Sequence, residues 1–376
     1  MFKKILPVEP TLQKVRIPSA AGDVRISGWE REEISARTDG EVLNVGGDVA
    51  EMVLECDGDL VLSLPRRLAL DIGSIGGDAD LRNLAGGVTV GEVEGDLSLR
   101  LVRAATIGAV HGDLEARESG PLTVDVVHAD LNVKGGNGDL LVRSVNGDVS
   151  LQEIHGNVNL GSVADDLYVR EVSGNLQARV EEDAVLHLRP APGQVIEVSA
   201  ESDILLHLSP QTSAHLTLTA GRAEDIRVEM PGVPKRDGSN PRTVTLGSGE
   251  ATIVLKAEGD VMVTSREAGW GGAAEDDFSG NRADWDDLGR QIRHRVEEKI
   301  RRAGRQAGEA VRRGGRGFWF RWGSSSSVLP SSRPGARSPE PVSDEERLFI
   351  LRMLQEKKIT AEEAATLLAA LEGEEL

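Results

Sequence analysis

Residues 136–160 read GNGDLLVRSVNGDVSLQEIHGNVNL and repeat one pattern three times. In each repeat, Gly and then Asp or Asn precede two apolar residues that are separated by one position. The marker residues Asp139, Asp148 and Asn157 lie nine residues apart. Apolar residues two positions apart lie on one face of a β-strand. The stretch therefore predicts a series of short strands separated by regular corners.

The same pattern extends well beyond this stretch. From Asp78 the markers recur at intervals of 17 or 18 residues up to Asp130, and then at intervals of nine residues up to Asn175. The longer interval is about twice the shorter one, so weaker strands such as residues 88–90 are expected to fill the gaps. Nine residues accommodate a strand and a corner but no crossover helix. The interval predicts a mainly β fold, a β-solenoid or β-roll over about residues 15–267, with two or three strands per turn.

The corner residues have predictable roles. Glycine permits a positive φ, and an Asp or Asn side chain can accept a hydrogen bond from its own backbone. Residues 135–139 read GGNGD, which comes near a calcium-binding nonapeptide corner, but one near match among many corners favours plain turn chemistry. An antiparallel β-sandwich is the alternative architecture, and it does not explain the constant interval. Residues 231–241 predict an exposed loop.

Composition narrows the function. The 376 residues carry a formal net charge of −19, which argues against general nucleic-acid binding because phosphate contacts need clustered Lys and Arg. The single cysteine, Cys56, excludes an intramolecular disulfide and a cysteine-cluster zinc site. The N-terminus has no apolar run of signal-peptide length, and no stretch approaches the ~18 apolar residues of a membrane span. We expect a cytoplasmic protein, soluble or peripherally associated with a membrane.

The sequence contains no catalytic signature. It lacks the nucleophile elbow, the His-Glu-x-x-His zinc motif and the phosphate-binding Gly-Lys-Ser/Thr loop. His187, His207 and His215 stand in strand-like contexts and are interpreted as outward residues, although stacked strands could bring them together as a zinc triad. We therefore expect no enzymatic activity, no cofactor and no metal.

The recurrent Gly-Asp-Val/Leu-x-Val/Leu units resemble the bacterial putative-adhesin β-solenoid domain of YvlB/LiaX-type proteins. The resemblance covers about residues 15–267, and a repetitive motif of this kind specifies fold better than activity. Such domains carry no established active site. The resemblance implies binding at the surface or envelope of a cell, in an adhesin-like or stress-response role.

Composition changes after residue 267. Residues 268–287 form an acidic, Gly-rich linker, and residues 288–313 place apolar side chains at steps of three or four, which predicts an amphipathic helix about 40 Å long. Between residues 288 and 322, eleven Lys or Arg stand against three Glu, a net charge of about +8. The aromatic cluster Phe-Trp-Phe-Arg-Trp follows directly at 318–322.

A basic amphipathic helix followed by aromatic residues is typical of an interfacial membrane anchor, because Arg attracts anionic headgroups and Trp and Phe enter the acyl boundary. The alternatives are that the helix docks on the acidic solenoid, that it binds nucleic acid, or that the aromatic residues cap one end of the solenoid. The predicted membrane-binding residues are Arg293, Arg301, Arg305, Arg312, Arg313, Phe318, Trp319, Phe320 and Trp322.

The C-terminus predicts a helical hairpin at 344–376, after a flexible Ser/Pro-rich linker at 323–343. Ser343 with Glu346 and Thr360 with Glu363 form two capping boxes. Two helices of about 12 residues cannot bury an adequate core alone, so the hairpin should bind a protein partner or a second copy. The predicted partner-binding residues are Leu348, Leu351, Leu354, Leu367, Leu368 and Leu371.

This hairpin resembles the SHOCT-like helical module that accompanies the same solenoid in YvlB/LiaX-type proteins. The matching segments are Glu-Arg-Leu at 346–348 and Lys-Ile-Thr-x-Glu-Glu-Ala at 358–364. Lys357 stands where the family usually has Gly, and the module here follows the solenoid instead of preceding it. The sequence as a whole predicts a non-catalytic, envelope-associated scaffold. An exported surface adhesin, a bactofilin-like polymer and a calcium-binding roll are the alternatives.

Overall fold

A computed structural model describes residues 2–265 of the chain, and most of these residues lie in β-strands. The N-terminal strands are β1 (Phe2–Pro7), β2 (Lys14–Ala20), β3 (Val24–Trp29), β4 (Glu33–Thr38), β5 (Leu43–Gly47), β6 (Glu51–Cys56), β7 (Leu60–Pro65) and β8 (Ala69–Ile75). The central strands are β9 (Ala79–Val93), β10 (Leu97–Val110), β11 (Leu114–Arg117), β12 (Leu122–Val127), β13 (Leu131–Lys134), β14 (Leu140–Val145), β15 (Val149–Ile154), β16 (Val158–Val163), β17 (Leu167–Val172), β18 (Leu176–Val180) and β19 (Ala184–Leu188). The C-terminal strands are β20 (Val195–Ala200), β21 (Ile204–Leu208), β22 (Ala214–Thr219), β23 (Ile226–Glu229), β24 (Arg242–Leu246), β25 (Ala251–Ala257) and β26 (Val261–Thr264), with a short 3₁₀ helix at Ala223–Asp225.

The strands stack as two facing walls of one continuous sheet, because the long strands β9 and β10 each contribute to both walls. Wall 1 contains, in spatial order, β5, β6, β2, β8, the second halves of β9 and β10, β12, β14, β16, β18, β20, β25, β22 and β24. Wall 2 contains β1, β4, β7, β3, the first halves of β9 and β10, β11, β13, β15, β17, β19, β21, β26 and β23.

The nine-residue unit is half of one coil. Strands pair in parallel with the strand two positions later in the chain, so that Leu140 of β14 lies beside Val158 of β16 and Val149 of β15 lies beside Leu167 of β17. Each coil therefore takes about 18 residues and contributes one strand to each wall. The predictions of a mainly β fold and of a weaker strand at residues 88–90 are confirmed. Two or three strands per turn were expected, and each turn contains two.

The coils are out of sequence order at both ends of this solenoid-like stack, which the repeat did not predict. The coil of β2 and β3 lies between β6–β7 and β8–β9, and the coil of β25 and β26 lies between β20–β21 and β22–β23. Antiparallel strands β1, β5 and β24 complete three of the wall ends. A terminal parallel coil would present unpaired backbone groups, and the returning strands reduce that exposure.

The core lies between the two walls and is built by strict alternation. In β16, Val158 and Leu160 are buried while Asn159 between them is exposed, and the same alternation recurs in most central strands. The inward Val, Leu, Ile and Ala side chains form one continuous hydrophobic cluster along the stack. Residues 231–241 form the exposed loop that the sequence predicted.

Candidate interaction surface

The aspartates of the repeat form a ladder along one corner of the stack, where each precedes a strand of wall 2 except Asp39, which follows β4. Oδ1 of Asp96 accepts a hydrogen bond from the backbone N–H of Asp113 at 2.9 Å, and Oδ1 of Asp113 accepts one from Asp130 at 3.0 Å. This aspartate ladder contains, in spatial order, Asp39, Asp59, Asp23, Asp78, Asp96, Asp113, Asp130, Asp148, Asp166, Asp183, Asp203 and Asp260.

The expectation that the marker side chains bond their own backbone holds for Asp48, whose Oδ1 accepts the N–H groups of Ala50 and Glu51. The ladder side chains from Asp39 to Asp203 instead bond the next coil. A second, shorter ladder precedes the strands of wall 1, where Oδ1 of Asp139 accepts the N–H of Asn157 and Oδ1 of Asn157 accepts the N–H of Asn175. The nine-residue interval arises because the markers alternate between the two ladders. The marker residues therefore hydrogen-bond successive coils to each other.

Glycine stands before many of these aspartates because a larger residue would not fit. A methyl group on Gly112 would lie closer than 3.0 Å to Oδ1 of Asp96, which occupies the corner of the preceding coil. Positive φ, the role predicted for them, is instead concentrated at the opposite corner. There the residues with positive φ are Asn83, Leu101, Glu118, Gly135, Glu153 and Glu171. The prediction of positive φ is confirmed for Gly47 and Gly138, which precede Asp48 and Asp139, but not for the glycines that precede the ladder aspartates.

Ionising the carboxyl groups of this partly buried row costs free energy. Burial raises the pKa of Asp96, and the neighbouring Asp113 and Asp78 carboxylates raise it further, against the hydrogen bond from Asp113. Burial likewise raises the pKa of Asp260, with Asp203 adding to the effect. A carboxyl whose folded pKa is raised destabilises the fold when it is ionised, and this cost disappears as the pH falls below its ordinary pKa.

We expect Asp96→Asn to match or exceed the wild type in stability at pH 7, by up to about 1 kcal/mol, because the amide keeps the acceptor and removes the charge. Asn157 already plays this role in the shorter ladder. Asp96→Ala should lose about 1–2 kcal/mol, because the N–H of Asp113 then has no acceptor. Thermal melts from pH 7 to pH 4 test this. The advantage of Asp96→Asn should shrink as the pH falls, and a growing advantage would contradict it.

The corner that came nearest to a calcium-binding sequence uses its carboxylate for hydrogen bonds, which favours a structural role over metal binding. Oδ1 of Asp139, in the segment that came nearest to a calcium corner, accepts hydrogen bonds from both the backbone and the side-chain nitrogens of Asn157. Glu92, Glu94 and His111 lie close together on the surface, and exposed groups of this kind are common without a metal. These three residues support no metal assignment.

The three histidines considered as a zinc triad do not come together. His187 of β19 and His207 of β21 are in register on the outer side of wall 2, with their rings stacked at a centroid distance of 4.3 Å. His215 lies in β22 of wall 1 and contacts Thr245. The interpretation of these residues as outward side chains is the correct one.

The outer side of wall 2 changes character along the stack. In its first half the central outward residues are polar apart from the exposed Val61, and Asp80 and Glu115 pair with Arg82 and Arg117. In its second half the equivalent residues are apolar and buried, with relative exposures of 9% for Tyr168, 1% for Val185, 4% for Leu205 and 4% for Met262. We call these four residues, which follow the buried Ser150, the outer stripe.

The outer stripe is separate from the core. Its residues alternate with inward neighbours such as Leu167 and Val169, and none of the four belongs to the hydrophobic cluster between the walls. The aspartate ladder borders it, because Asp166 and Asp183 stand two residues before Tyr168 and Val185. Asp166 is completely buried. The outer stripe thus forms an apolar band beside a row of carboxylates.

Sequence reasoning did not single out this surface, although the signal is present. Strands that are buried on both faces read as continuous apolar runs instead of alternating ones. The triplets LYV at 167–169, ILL at 204–206 and VMV at 261–263 are such runs, whereas LSL at 97–99 and LNV at 131–133 alternate.

The residues predicted to bind membrane or partner lie outside the described residues, so these assignments stay predictions. They comprise Arg293, Arg301, Arg305, Arg312, Arg313, Phe318, Trp319, Phe320 and Trp322 for the membrane, and Leu348, Leu351, Leu354, Leu367, Leu368 and Leu371 for the partner. Within residues 2–265, no helix has the length and apolar character that a membrane crossing requires.

Comparison with known proteins identifies the C-terminal module. Residues 345–376 match the SHOCT-like domain family, which confirms the resemblance of the hairpin. A solved structure of a "putative cell adhesion protein" from Clostridium sporogenes is similar at 12% identity, covering 70% of this chain and 98% of that chain, with a TM-score of 0.16. That description applies to the Clostridium protein, and so low a TM-score supports no conclusion about this chain. No curated protein matches the sequence.

Proposed function

We propose that the protein is a non-catalytic, adhesin-like scaffold of the cell envelope, with a role in the response to envelope stress. Residues 288–322 attach it to an anionic membrane surface, and the hairpin at 344–376 recruits a protein partner or a second copy. The observation that carries the proposal is the aspartate ladder. The most regular polar groups of the stack are used to hydrogen-bond successive coils to each other. This use favours a rigid scaffold over a catalytic site.

Attachment to a membrane is supported by the segregation of charge. Residues 288–322 carry about +8, while the rest of the chain carries about −27. Each basic residue near an anionic leaflet contributes on the order of 1 kcal/mol, and aromatic side chains such as Trp319 and Trp322 favour the interface. The acidic stack would be repelled from the same surface, so the basic segment would be the part of the chain that contacts the lipid.

Recruitment of a partner is supported by the SHOCT-like match at 345–376 and by the size of the module. Each helix of the hairpin has an apolar stripe, for example Leu348 and Leu351 in the first and Leu367 and Leu371 in the second. A pair of such short helices is marginal in water unless these stripes are covered. Binding another protein or a second copy provides the cover.

The ends of the stack favour a discrete particle over a bactofilin-like polymer. Head-to-tail stacking would require parallel edges at both ends, whereas β1, β5 and β24 are antiparallel to their neighbours.

An exported adhesin would use the same rigid stack outside the cell. Protease treatment of intact cells distinguishes it, because an exported protein would be degraded.

Vesicle flotation tests the proposal directly. The full-length protein should float with anionic vesicles at low salt, should be released by high salt, and should not float with neutral vesicles. A variant lacking residues 288–322 should not float under any of these conditions. If full-length protein and variant float equally, or if neither floats, the proposed attachment is wrong.

A further inference from the structure

The outer stripe is an apolar surface that needs a cover. Tyr168, Val185, Leu205 and Met262 point away from the core and are nevertheless buried. Within residues 2–265, no strand packs across this part of wall 2, since β17, β19, β21 and β26 contact their neighbours in the walls. Contiguous apolar surfaces of this kind mark sites where another segment or protein binds.

The last of the described strands ends close to this surface. The last strand, β26, ends at Thr264, two residues after Met262 of the outer stripe. Residues 266–287 follow, and an extended chain of this length spans up to about 70 Å. The amphipathic helix predicted at 288–313 is therefore within reach of every part of the stripe.

The large apolar residues in the first half of that helix match the stripe in length. Leu288, Ile292, Val296 and Ile300 span 12 residues, which is about 18 Å along a helix. Strands in a sheet lie about 4.8 Å apart, so the five strands that carry Ser150 and the outer stripe span about 19 Å. The helix can cover the stripe along its whole length.

The charges are also complementary. Arg295, Lys299 and Arg302 recur at i, i+4 and i+7 and therefore follow one edge of the apolar side of the helix. The aspartate ladder follows one edge of the outer stripe, with Asp166 completely buried there. A row of carboxylates attracts a row of cations, and the basic edge of the helix would lie along it.

Other occupants match less well. The hairpin at 344–376 contains nine acidic residues against four basic ones, so it would be repelled by the ladder. A second copy of wall 2 would bring a second aspartate ladder to the first. We propose that the outer stripe is the docking site of the chain's own helix at 288–313, with its basic edge along the aspartate ladder.

Docking and membrane attachment are compatible. Arg301, Arg305 and Arg312 lie on the side of the helix opposite Ile292 and Val296, so a docked helix would present them outward. The docking site does not depend on membrane attachment, and a test without lipid separates the two proposals.

Hydrogen–deuterium exchange of the full-length protein, without vesicles, tests the docking. Leu205→Asp should raise the exchange rates of the amides at 288–313 at least tenfold, whereas those of the central strands β12 to β16 should not change. Val61→Asp is the matched control, because Val61 is also an outward residue of wall 2 but is 39% exposed in the polar half. It should leave 288–313 protected. Unchanged protection in Leu205→Asp overturns the proposal.

A second set of variants leaves the stack untouched. Tyr168 is the only tyrosine of the chain, so chemical nitration reports on the outer stripe directly. Ile292→Asp with Ile300→Asp should increase nitration of Tyr168 at least tenfold, whereas His294→Asp, which adds one negative charge on the opposite side of the helix, should not. Increased exchange at 345–376 instead, or a protection that depends on protein concentration, would identify the hairpin or a second copy and overturn the proposal.

Discussion

Deletion of residues 140–157 will leave the stack folded, whereas deletion of residues 140–148 will abolish its cooperative unfolding transition. The first deletion removes one whole coil. It places β16 beside β12 and β17 beside β13, with each strand in its original wall, and Asp130 can then accept the N–H of Asp166. Because a stack is stabilised mainly by contacts between neighbouring coils, the melting temperature should change by about 5 °C or less.

The nine-residue deletion removes only half a coil, although it preserves the sequence repeat. Every later strand would then have to change walls. Glu153 and Glu171, which have positive φ at one corner, would be transferred to the other corner, where none of the ladder aspartates has positive φ. The outer stripe would also move to wall 1 together with Asp166 and Asp183, which would leave the aspartate ladder.

Circular dichroism melts and exchange of the strand amides will distinguish the two deletions. The coil deletion should give one sharp transition, and the half-coil deletion a broad or absent one. Two equally sharp transitions would show that the half-coils are interchangeable, which would contradict the assignment of distinct roles to the two corners.

Replacement of five arginines by glutamine will weaken binding to anionic vesicles by at least about a thousandfold. The variant changes Arg293, Arg301, Arg305, Arg312 and Arg313. At on the order of 1 kcal/mol for each basic residue near the surface, the loss approaches about 5 kcal/mol. Titration with anionic vesicles at low salt measures the effect, and circular dichroism verifies that the stack remains folded.

A control variant removes the same number of positive charges from the stack. Its five substitutions to glutamine are on the outer side of wall 2, at Arg82, Arg100, Arg117, Lys134 and Arg170. This variant should bind vesicles as the wild type does or more weakly by less than about tenfold. Equal losses in the two variants would mean that overall charge, and not the segment at 288–322, controls the affinity.

Much of the fold was predictable because its information is local. The apolar pairs in 136–160 predict strands, and the repeat predicts stacking. The strand-like contexts of His187 and His207 agree with their places in β19 and β21, which pair in register. The hairpin at 344–376 was recognised from capping residues and apolar spacing, and its family match agrees.

The remaining features depend on distant parts of the chain. The insertion of β25 and β26 between earlier and later coils depends on which open edges meet, and no local motif encodes it. The hydrogen bond from Asp113 to Asp96 joins residues of different coils, so the corner alone suggested a bond within one turn. The outer stripe had a local signal in its apolar triplets, but a period-two analysis records only the inward residues and passes over Tyr168 and Leu205.

The aspartate ladder also makes one edge of the protein a linear polyelectrolyte. Its carboxylates repeat about every 4.8 Å, whereas two unit charges in water interact with an energy near RT at about 7 Å. At this spacing mobile cations condense along the part of the edge from Asp39 to Asp130, which is at least partly exposed and lies outside the outer stripe, as they do along a nucleic acid backbone. Unfolding disperses the carboxylates and releases these cations. Monovalent salt therefore stabilises the stack, the opposite of its effect on a fold held together by surface ion pairs.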